Sequence, residues 1–222
     1  MALPLAISPG VAQSLLIRGL KLDQATAVQF PDIEPAVEVR ILNQKKSAPP
    51  DKLESMEVGD TQVEVTFKLP AEIAADSLPL TVTTPDGITS HFSLLIVPAD
   101  QLTTESEPND SFRKPQTVTF GQTISGMIAQ PKDVDVFEFV GKAGQSFVAE
   151  VFAAQQGSPC DVQLTLFDSS GHILSISDDA PRSRDPALHI QLPRTDTYRL
   201  AVLDATDRGS SLSAYLLQVR VE

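Results

Sequence analysis

The chain has 222 residues, enough for two domains of ordinary size that each bury their own core. Its 29 acidic and 17 basic residues give a formal net charge of −12, which disfavours nucleic acid and anionic membranes as partners. The single cysteine, Cys160, excludes an internal disulfide framework.

The start of the chain does not have the pattern of a signal peptide. Residues 1–10 include a short apolar stretch but no basic region before it. No later segment is long enough to span a bilayer, so we expect no membrane insertion. Either the protein stays inside the cell, or it is a trimmed piece of an exported chain. The motifs below favour secretion or the cell surface, with the signal peptide already removed.

Short alternating segments separated by turn residues fill the first half of the chain, which is the pattern of a β-sandwich. Residues 61–69 show it most clearly, since Val63, Val65 and Phe67 are predicted to face inward and the residues between them outward. The predicted strands are residues 3–7, 14–18, 25–30, 37–42, 61–69, 78–83 and 92–97.

A long polar stretch interrupts this pattern at residues 43–60, which contain Lys45-Lys46 and Pro49-Pro50. A connection of that length is usually either a functional loop or a floppy insertion. Both interpretations remain open for this segment.

Four short motifs in the first half resemble those of IPT/TIG domains, which are immunoglobulin-like modules. They lie at residues 7–10, 16–22, 27–30 and 82–87, and a closing strand follows at Phe92. The resemblance covers about residues 3–98 and implies an immunoglobulin-like β-sandwich for residues 1–98. Residues 99–104 then form a predicted polar linker.

The second half opens with a group of acidic residues. The five carboxylates and one amide belong to Glu105, Glu107, Asn109, Asp110, Asp133 and Asp135. Brought together without a cation, the carboxylates would repel one another, and oxygen-only ligands of this kind suit Ca²⁺. Residues 105, 107 and 109 share one side of an extended segment, as do 133 and 135, whereas Asp110 needs a turn to join them.

The landmarks of the second half resemble the bacterial pre-peptidase C-terminal domain over residues 105–222. They lie at residues 105–110, 124–128, 133–139, 161–168, 171, 177–179, 197–202 and 215–219. The resemblance implies a jelly-roll-like β-sandwich of the kind appended to secreted proteases and other exported or surface proteins of bacteria. In calcium-binding relatives, notably the collagen-binding modules of clostridial collagenases, acids at equivalent places surround calcium. The resemblance therefore implies that the six residues named above are the ligands. Whether they would bind one ion or two remains open.

Structural roles are the alternative for these acids, because Asn and Asp side chains also cap turns and bond neighbouring N–H groups. A second charged group lies in the segment 177–186, for which a solvated loop is the default and a binding site the alternative. Its members are Asp178, Asp179, Arg182, Arg184 and Asp185.

The motifs of common enzymes are missing, and we expect a non-catalytic protein. The histidines His91, His172 and His189 are far apart, and there is no Gly-x-Ser-x-Gly, His-Glu-x-x-His or phosphate-binding glycine loop. Cys160 has no nearby histidine and is predicted to be a packing residue. With no Trp and two Tyr, of which Tyr198 is predicted to point into the core, the chain shows no exposed aromatic platform for a ligand.

Together these features predict an all-β protein of two tandem β-sandwiches, immunoglobulin-like and then jelly-roll-like. The predicted function is a non-catalytic accessory or adhesion module of an exported bacterial protein, calcium-stabilised at the junction of the two domains. The alternatives are a metal-free structural spacer and a protein- or glycan-binding module acting through residues 43–60 or 177–186. The expected partners are other domains of a larger parent protein, or an extracellular protein or glycan.

Overall fold

The computed structural model describes residues 1–89 and 92–222. These divide into two compact units, Met1–Asp100 and Gln101–Glu222. Regular structure in both units is almost entirely β-strand, and the prediction of an all-β fold built from β-sandwiches is confirmed.

The first unit consists of two sheets. Its strands are β1 (Ala2–Leu3), β2 (Ala6–Ile7), β3 (Ala12–Gly19), β4 (Ala27–Gln29), β5 (Val39–Lys46), β6 (Thr61–Lys68), β7 (Ser77–Thr84), β8 (Gly87–Ile88) and β9 (Phe92–Ile96), with the helix α1 (Ser55–Val58) and a 3₁₀ turn at Leu22–Gln24. One sheet has the order β1-β3-β6-β5, and the other has the order β2-β9-β7-β4 with β8 paired to β7.

The core of this unit lies between the two sheets, as the alternation of β6 predicts. Val63, Val65 and Phe67 are buried, and they share one core with Leu80 and Leu94 of the facing sheet. The predicted single strand over residues 3–7 is wrong. It is broken at Pro4, which lacks an N–H, so that β1 pairs with β3 whereas β2 pairs with β9.

The stretch 43–60 is ordered rather than a continuous loop. Its first four residues extend β5, and its last third contains α1. The buried Arg18 guanidinium fixes the rest, donating to the Ser47 hydroxyl (2.6 Å) and to the carbonyls of Ser47 (2.8 Å), Val58 (3.2 Å) and Gly59 (3.0 Å). A buried cation needs such acceptors, and this segment supplies them.

The second unit is also built from two sheets. Its strands are β10 (Leu102–Thr104), β11 (Gln116–Thr117), β12 (Thr123–Met127), β13 (Val134–Gly141), β14 (Ser146–Phe152), β15 (Val162–Phe167), β16 (Ile173–Ser177), β17 (Ala187–Gln191), β18 (Asp196–Asp204) and β19 (Ala214–Val221). The sheet orders are β10-β12-β19-β14-β17 and β11-β13-β18-β15-β16. Between the sheets, the Phe139 ring stacks on Phe147 (4.5 Å) and Tyr198 (5.6 Å), so Tyr198 lies in the core as predicted.

The region expected to be a linker contains a strand of the second unit. Within residues 99–104, β10 pairs in parallel with β12 at the edge of the first of these sheets. The next strand, β11, pairs with β13 at the edge of the other sheet. Residues 105–115 therefore cross from one sheet to the other, and this crossing carries Glu105, Glu107, Asn109 and Asp110.

Candidate metal centre

The acidic segment is held at both ends by backbone hydrogen bonds. The N–H of Glu105 donates to the Ser125 carbonyl (3.0 Å), which extends the β10–β12 pairing by one residue. At the other end, the Asn109 carbonyl accepts from the N–H of Val136 in β13 (3.0 Å). Residues 105–110 therefore lie beside the start of β13, where Asp133 and Asp135 are located.

The carboxylates form two overlapping groups. In each group, one oxygen from every residue lies within 4.8 Å of the others. The first group is Glu105, Glu107 and Asp135, and the second is Glu107, Asp110 and Asp133. The structure thus brings all five predicted carboxylates together, and Glu107 belongs to both groups. Asp110 joins the cluster beside Glu107 and Asp133.

Asn109 is fully buried within the same segment, and the orientation of its amide is set by Glu105. The Nδ2 group of Asn109 donates to Glu105 Oε1 (3.1 Å), a contact that an amide oxygen could not make. The Oδ1 atom consequently faces the other way, and it is buried without a hydrogen-bond partner. Buried polar atoms normally have a partner, so this oxygen lacks the partner that its burial calls for.

Asp135 is also fully buried, and the described residues supply it with a single hydrogen-bond donor. Its Oδ2 accepts from the hydroxyl of Tyr215 (2.7 Å), whereas its Oδ1 has no hydrogen-bond partner. The same hydroxyl lies 3.0 Å from Glu105 Oε1. Because a hydroxyl has only one proton to donate, it satisfies one of these two carboxylates at a time.

Tyr215 reaches this position because Gly126 leaves room for it. The two residues face each other in the β12–β19 pairing, and a Cβ atom at position 126 would overlap the Tyr215 ring. Sequence reasoning assigned no role to either residue. Tyr215 shares its side of β19 with the buried Leu217, but nothing in the sequence indicates that its hydroxyl meets carboxylates far earlier in the chain.

The electrostatics of the cluster are unfavourable in the absence of a cation. Burial, together with the adjacent Glu105 carboxylate, raises the pKa of Asp135 to about 9. Partial burial and the neighbouring acids Asp110 and Glu105 also raise the pKa of Glu107. A bound cation has the opposite effect on a carboxylate, because it favours the charged form.

Several of the carboxylates also accept backbone N–H groups, which is what the structural alternative requires. Glu105 Oε2 accepts from Met127 (2.9 Å), Glu107 Oε2 from Asn109 (3.0 Å), and Asp133 Oδ2 from Ala129 (2.7 Å). Each of these backbone hydrogen bonds uses one oxygen of the carboxylate that accepts it. They do not account for Asn109 Oδ1 or Asp135 Oδ1.

The chemistry of the donor set fits calcium. Every candidate atom is an oxygen, and Ca²⁺ takes roughly six to eight oxygen ligands from carboxylates, amide carbonyls and water. Zinc and copper prefer nitrogen or sulfur donors, and this cluster contains none.

The second charged group, in residues 177–186, has identifiable structural contacts. The Asp185 carboxylate accepts the N–H groups of Ala154 (2.6 Å) and Gln155 (3.1 Å) and so caps a 3₁₀ turn at residues 154–156. Arg184 lies 3.6 Å from Asp161. The default expectation of a solvated loop therefore needs one change, since Asp185 is buried and holds a neighbouring turn.

His172 and His189 lie beside carboxylates that do not belong to the acidic cluster. His172 Nδ1 is 3.3 Å from Asp168 Oδ2, and His189 Nε2 is 4.0 Å from Glu150 Oε1. His91 lies outside the described residues. Cys160 is buried, as a packing residue should be, and burial raises the pKa of its thiol. None of the helices in residues 1–89 and 92–222 has the length and apolar character that a membrane-spanning helix needs.

Comparison with known proteins matches a part of one larger bacterial protein. No family model matches the chain. It is 36% identical over 99 residues to a probable subtilase-type serine protease of Deinococcus radiodurans; the match covers 43% of this chain and 14% of the protease. The chain therefore spans a small part of that relative's length.

Two solved structures show similarity at low sequence identity. The pre-peptidase C-terminal domain of a collagenase from Bacillus anthracis is 14% identical and has a TM-score of 0.41, over 52% of this chain and all of that domain. A periplasmic inhibitor of g-type lysozyme from Aeromonas hydrophila is 14% identical and has a TM-score of 0.36, over 55% of this chain and 98% of the inhibitor. The collagenase domain belongs by its name to the family whose motifs residues 105–222 resemble. The likeness of residues 3–98 to IPT/TIG domains stays a prediction.

Proposed function

We propose that this chain is a non-catalytic accessory or adhesion unit of an exported bacterial protein, stabilised by Ca²⁺. The proposed ligands are oxygens of Glu105, Glu107, Asn109, Asp110, Asp133 and Asp135. The observation that carries the proposal is a pair of buried oxygens that have no hydrogen-bond partner among the described residues, Asn109 Oδ1 and Asp135 Oδ1. Asp135 belongs to one of the two carboxylate groups, and the Asn109 amide donates to Glu105 of the same group. Buried polar atoms are normally partnered, and a hard cation would partner both oxygens.

Calcium would stabilise the second unit and restrain the segment near its start, residues 105–110. The ligand segment follows β10 directly and crosses to β11, so an ion bound there would hold both edge strands to the body of this unit. Exported surroundings offer calcium at about a millimolar, and a dissociation constant of about a micromolar would add roughly 4 kcal/mol to the free energy of unfolding. That is a large share of the stability of an ordinary domain.

An accessory role is supported by the sequence likeness to a small part of a subtilase-type protease and by the motifs that resemble a pre-peptidase C-terminal domain. The proposed partners are other domains of a larger parent protein, or an extracellular protein or glycan.

The first test is the thermal unfolding of the purified protein in millimolar calcium, in excess EDTA, and in magnesium. We expect calcium alone to raise the melting temperature by several degrees. Glu107→Gln should abolish the rise, because Glu107 belongs to both carboxylate groups. Asp179→Asn, at an exposed acid outside the cluster, should retain it. Identical melting curves in calcium and EDTA would contradict the proposal.

A second measurement locates the ion. Terbium(III) is a luminescent substitute for calcium at oxygen sites, and a nearby tyrosine sensitises its emission. The chain has no Trp and two Tyr, of which Tyr215 contacts two proposed ligands whereas the Tyr198 hydroxyl donates to the Arg194 carbonyl. Sensitised emission should therefore disappear in Tyr215→Phe and survive in Tyr198→Phe. Emission that survives Tyr215→Phe would place the ion elsewhere.

The second candidate function is a metal-free structural spacer. The backbone N–H groups that Glu105, Glu107 and Asp133 accept favour it, because such bonds stabilise turns without any ion. Under this alternative neither EDTA nor calcium changes the melting curve, and no terbium emission is sensitised.

A further inference from the structure

The Gln116 side chain, which lies outside the acidic cluster, brackets Glu105: it forms hydrogen bonds to the backbone on both sides of that residue. Gln116, in β11, accepts the N–H of Ser106 with its Oε1 (2.7 Å) and donates from its Nε2 to the carbonyl of Thr104 (3.3 Å). Ser106 and Thr104 are the two neighbours of Glu105 in the chain. The amide of Gln116 thus bonds to the backbone as a residue of an adjacent strand would.

The backbone that carries this side chain is held by strand pairing. The backbone of Gln116 lies opposite Phe137 in the parallel pairing of β11 with β13, and Phe137 is fully buried. The N–H of Val118 continues the contact by donating to the Glu138 carbonyl (2.9 Å). A side chain with a fixed backbone restrains its partner more than one on a free loop does.

The bracketed residue, Glu105, in turn orients the rest of the site. Its Oε1 accepts from Asn109 Nδ2 (3.1 Å) and lies 3.0 Å from the Tyr215 hydroxyl, and its Oε2 accepts from the Met127 N–H (2.9 Å). A displacement of Glu105 would release the Asn109 amide, whose Oδ1 is one of the proposed ligands. The chain of contacts therefore runs from Gln116 through Glu105 to Asn109.

We propose that Gln116 is a positioning residue of the calcium centre: it fixes the backbone on both sides of Glu105 and so preorganises the ligand segment. This inference rests on the proposed function. Both polar groups of the Gln116 amide are used by the backbone, so it acts without touching the ion. Preorganisation raises affinity because the ordering of the ligands is not left to the binding step.

The test is a calcium titration by calorimetry with Gln116→Leu, which keeps the bulk of the side chain and removes both bonds. We expect the dissociation constant to rise roughly tenfold, the effect of one to two net hydrogen bonds. Gln116→Asn, one methylene shorter, should shift it in the same direction with less disturbance of the fold. The matched control is Gln145→Leu, since Gln145 accepts the Lys142 N–H (3.0 Å) in the turn between β13 and β14, at the opposite end of β13.

A spectroscopic measurement separates positioning from a general loss of stability. Terbium emission lifetimes in H₂O and D₂O count the water molecules on the bound ion. We expect additional bound water in Gln116→Leu, where the ligands are no longer held, and no change in Gln145→Leu. Unchanged affinity and hydration in both Gln116 variants, or equal weakening in the Gln145 control, would overturn the inference while leaving the calcium site intact. A wild-type protein that binds no calcium would overturn the proposed function itself.

Discussion

Two buried aspartates of the second unit, Asp135 and Asp204, have opposite environments. Asp204 accepts hydrogen bonds from the N–H groups of Asp161 (3.0 Å), Thr206 (2.9 Å) and Arg208 (3.2 Å), and from the Thr206 hydroxyl. In the part of the chain that the structure describes, the Tyr215 hydroxyl is the only donor to Asp135, and the Glu105 carboxylate lies nearby. Burial acts against both charges, but the hydrogen bonds at Asp204 outweigh it and lower the pKa of that carboxyl, whereas the pKa of Asp135 rises to about 9.

The comparison shows which property separates a structural acid from a candidate ligand. Burial does not separate the two kinds of acid, because both residues are almost completely inaccessible to solvent. The number of hydrogen-bond donors separates them, since a carboxylate surrounded by N–H groups is already satisfied and needs no further partner. Asp135 Oδ1 has none, and a proton or a cation must compensate its charge. The predictions below test this distinction, from the largest expected effect to the smallest.

Asp135→Asn should have the largest effect, and only when calcium is present. The substitution removes a charged ligand, so we expect most of the calcium-dependent stabilisation, roughly 4 kcal/mol under the conditions considered above, to disappear. In EDTA the variant should be at least as stable as the wild type, because a neutral amide at residue 135 needs neither a proton nor a cation to compensate a buried charge. Calorimetric melting with and without calcium measures both effects. A calcium-dependent rise that persists in Asp135→Asn would contradict the assignment of this ligand.

Asp204→Asn should behave in the opposite way. An amide presents one acceptor oxygen where the carboxylate has two, so donors among Asp161, Thr206 and Arg208 lose their partner. We expect the free energy of unfolding to fall by about 2 kcal/mol, because buried N–H groups are left without an acceptor. The loss should be equal in calcium and in EDTA, because this residue does not belong to the cluster. Chemical denaturation in the two buffers measures it, and a loss confined to one buffer would invalidate the comparison.

Gly126→Ala should disturb the site through Tyr215. The added Cβ overlaps the tyrosine ring, and overpacking of this kind typically costs about 1–3 kcal/mol. Because the displaced ring carries the hydroxyl that serves Asp135 and Glu105, the response to calcium should fall as well. Ser125→Ala, at the adjacent position of β12, is the control: its side chain alternates to the other face of the strand. Unfolding measured in both buffers tests this, and a Gly126→Ala variant with a normal calcium response would mean that Tyr215 does not position the ligands.

Much of the fold could be predicted from the sequence because its signals are local. The alternation of Val63, Val65 and Phe67 predicts a half-buried strand, and that strand is present. The acidic cluster was also predictable, since four of its six members lie within residues 105–110 and the other two follow closely in the chain.

The remaining features depend on contacts between distant residues. The sequence does not show that Gln116 brackets Glu105, that Gly126 makes room for Tyr215, or that Arg18 orders residues 47–59. The strand β10 lies inside the predicted linker and was missed because its three residues, Leu102–Thr104, are too few to show a periodicity; its pairing with β12 supplies the structure. Whether the cluster holds an ion depends on unpartnered oxygens, which only a three-dimensional arrangement reveals.

The smallest expected effect concerns Asp168, a third acid of this unit and one that resembles Asp204. Its carboxylate accepts the N–H groups of His172 (2.9 Å) and Ser170 (2.9 Å) and pairs with Arg194 (2.7 Å), and the bond from His172 contributes most to lowering its pKa below the ordinary value of 3.8. Because the folded state has the lower pKa, the stability from this group is complete above that value and is lost as the pH falls through the folded pKa. The difference in unfolding free energy between the wild type and Asp168→Asn should therefore shrink when the pH is lowered in EDTA from about 7 to about 3. A difference that stays constant over this range would mean that the charge of Asp168 contributes nothing, and that donors alone do not make a buried carboxylate structural.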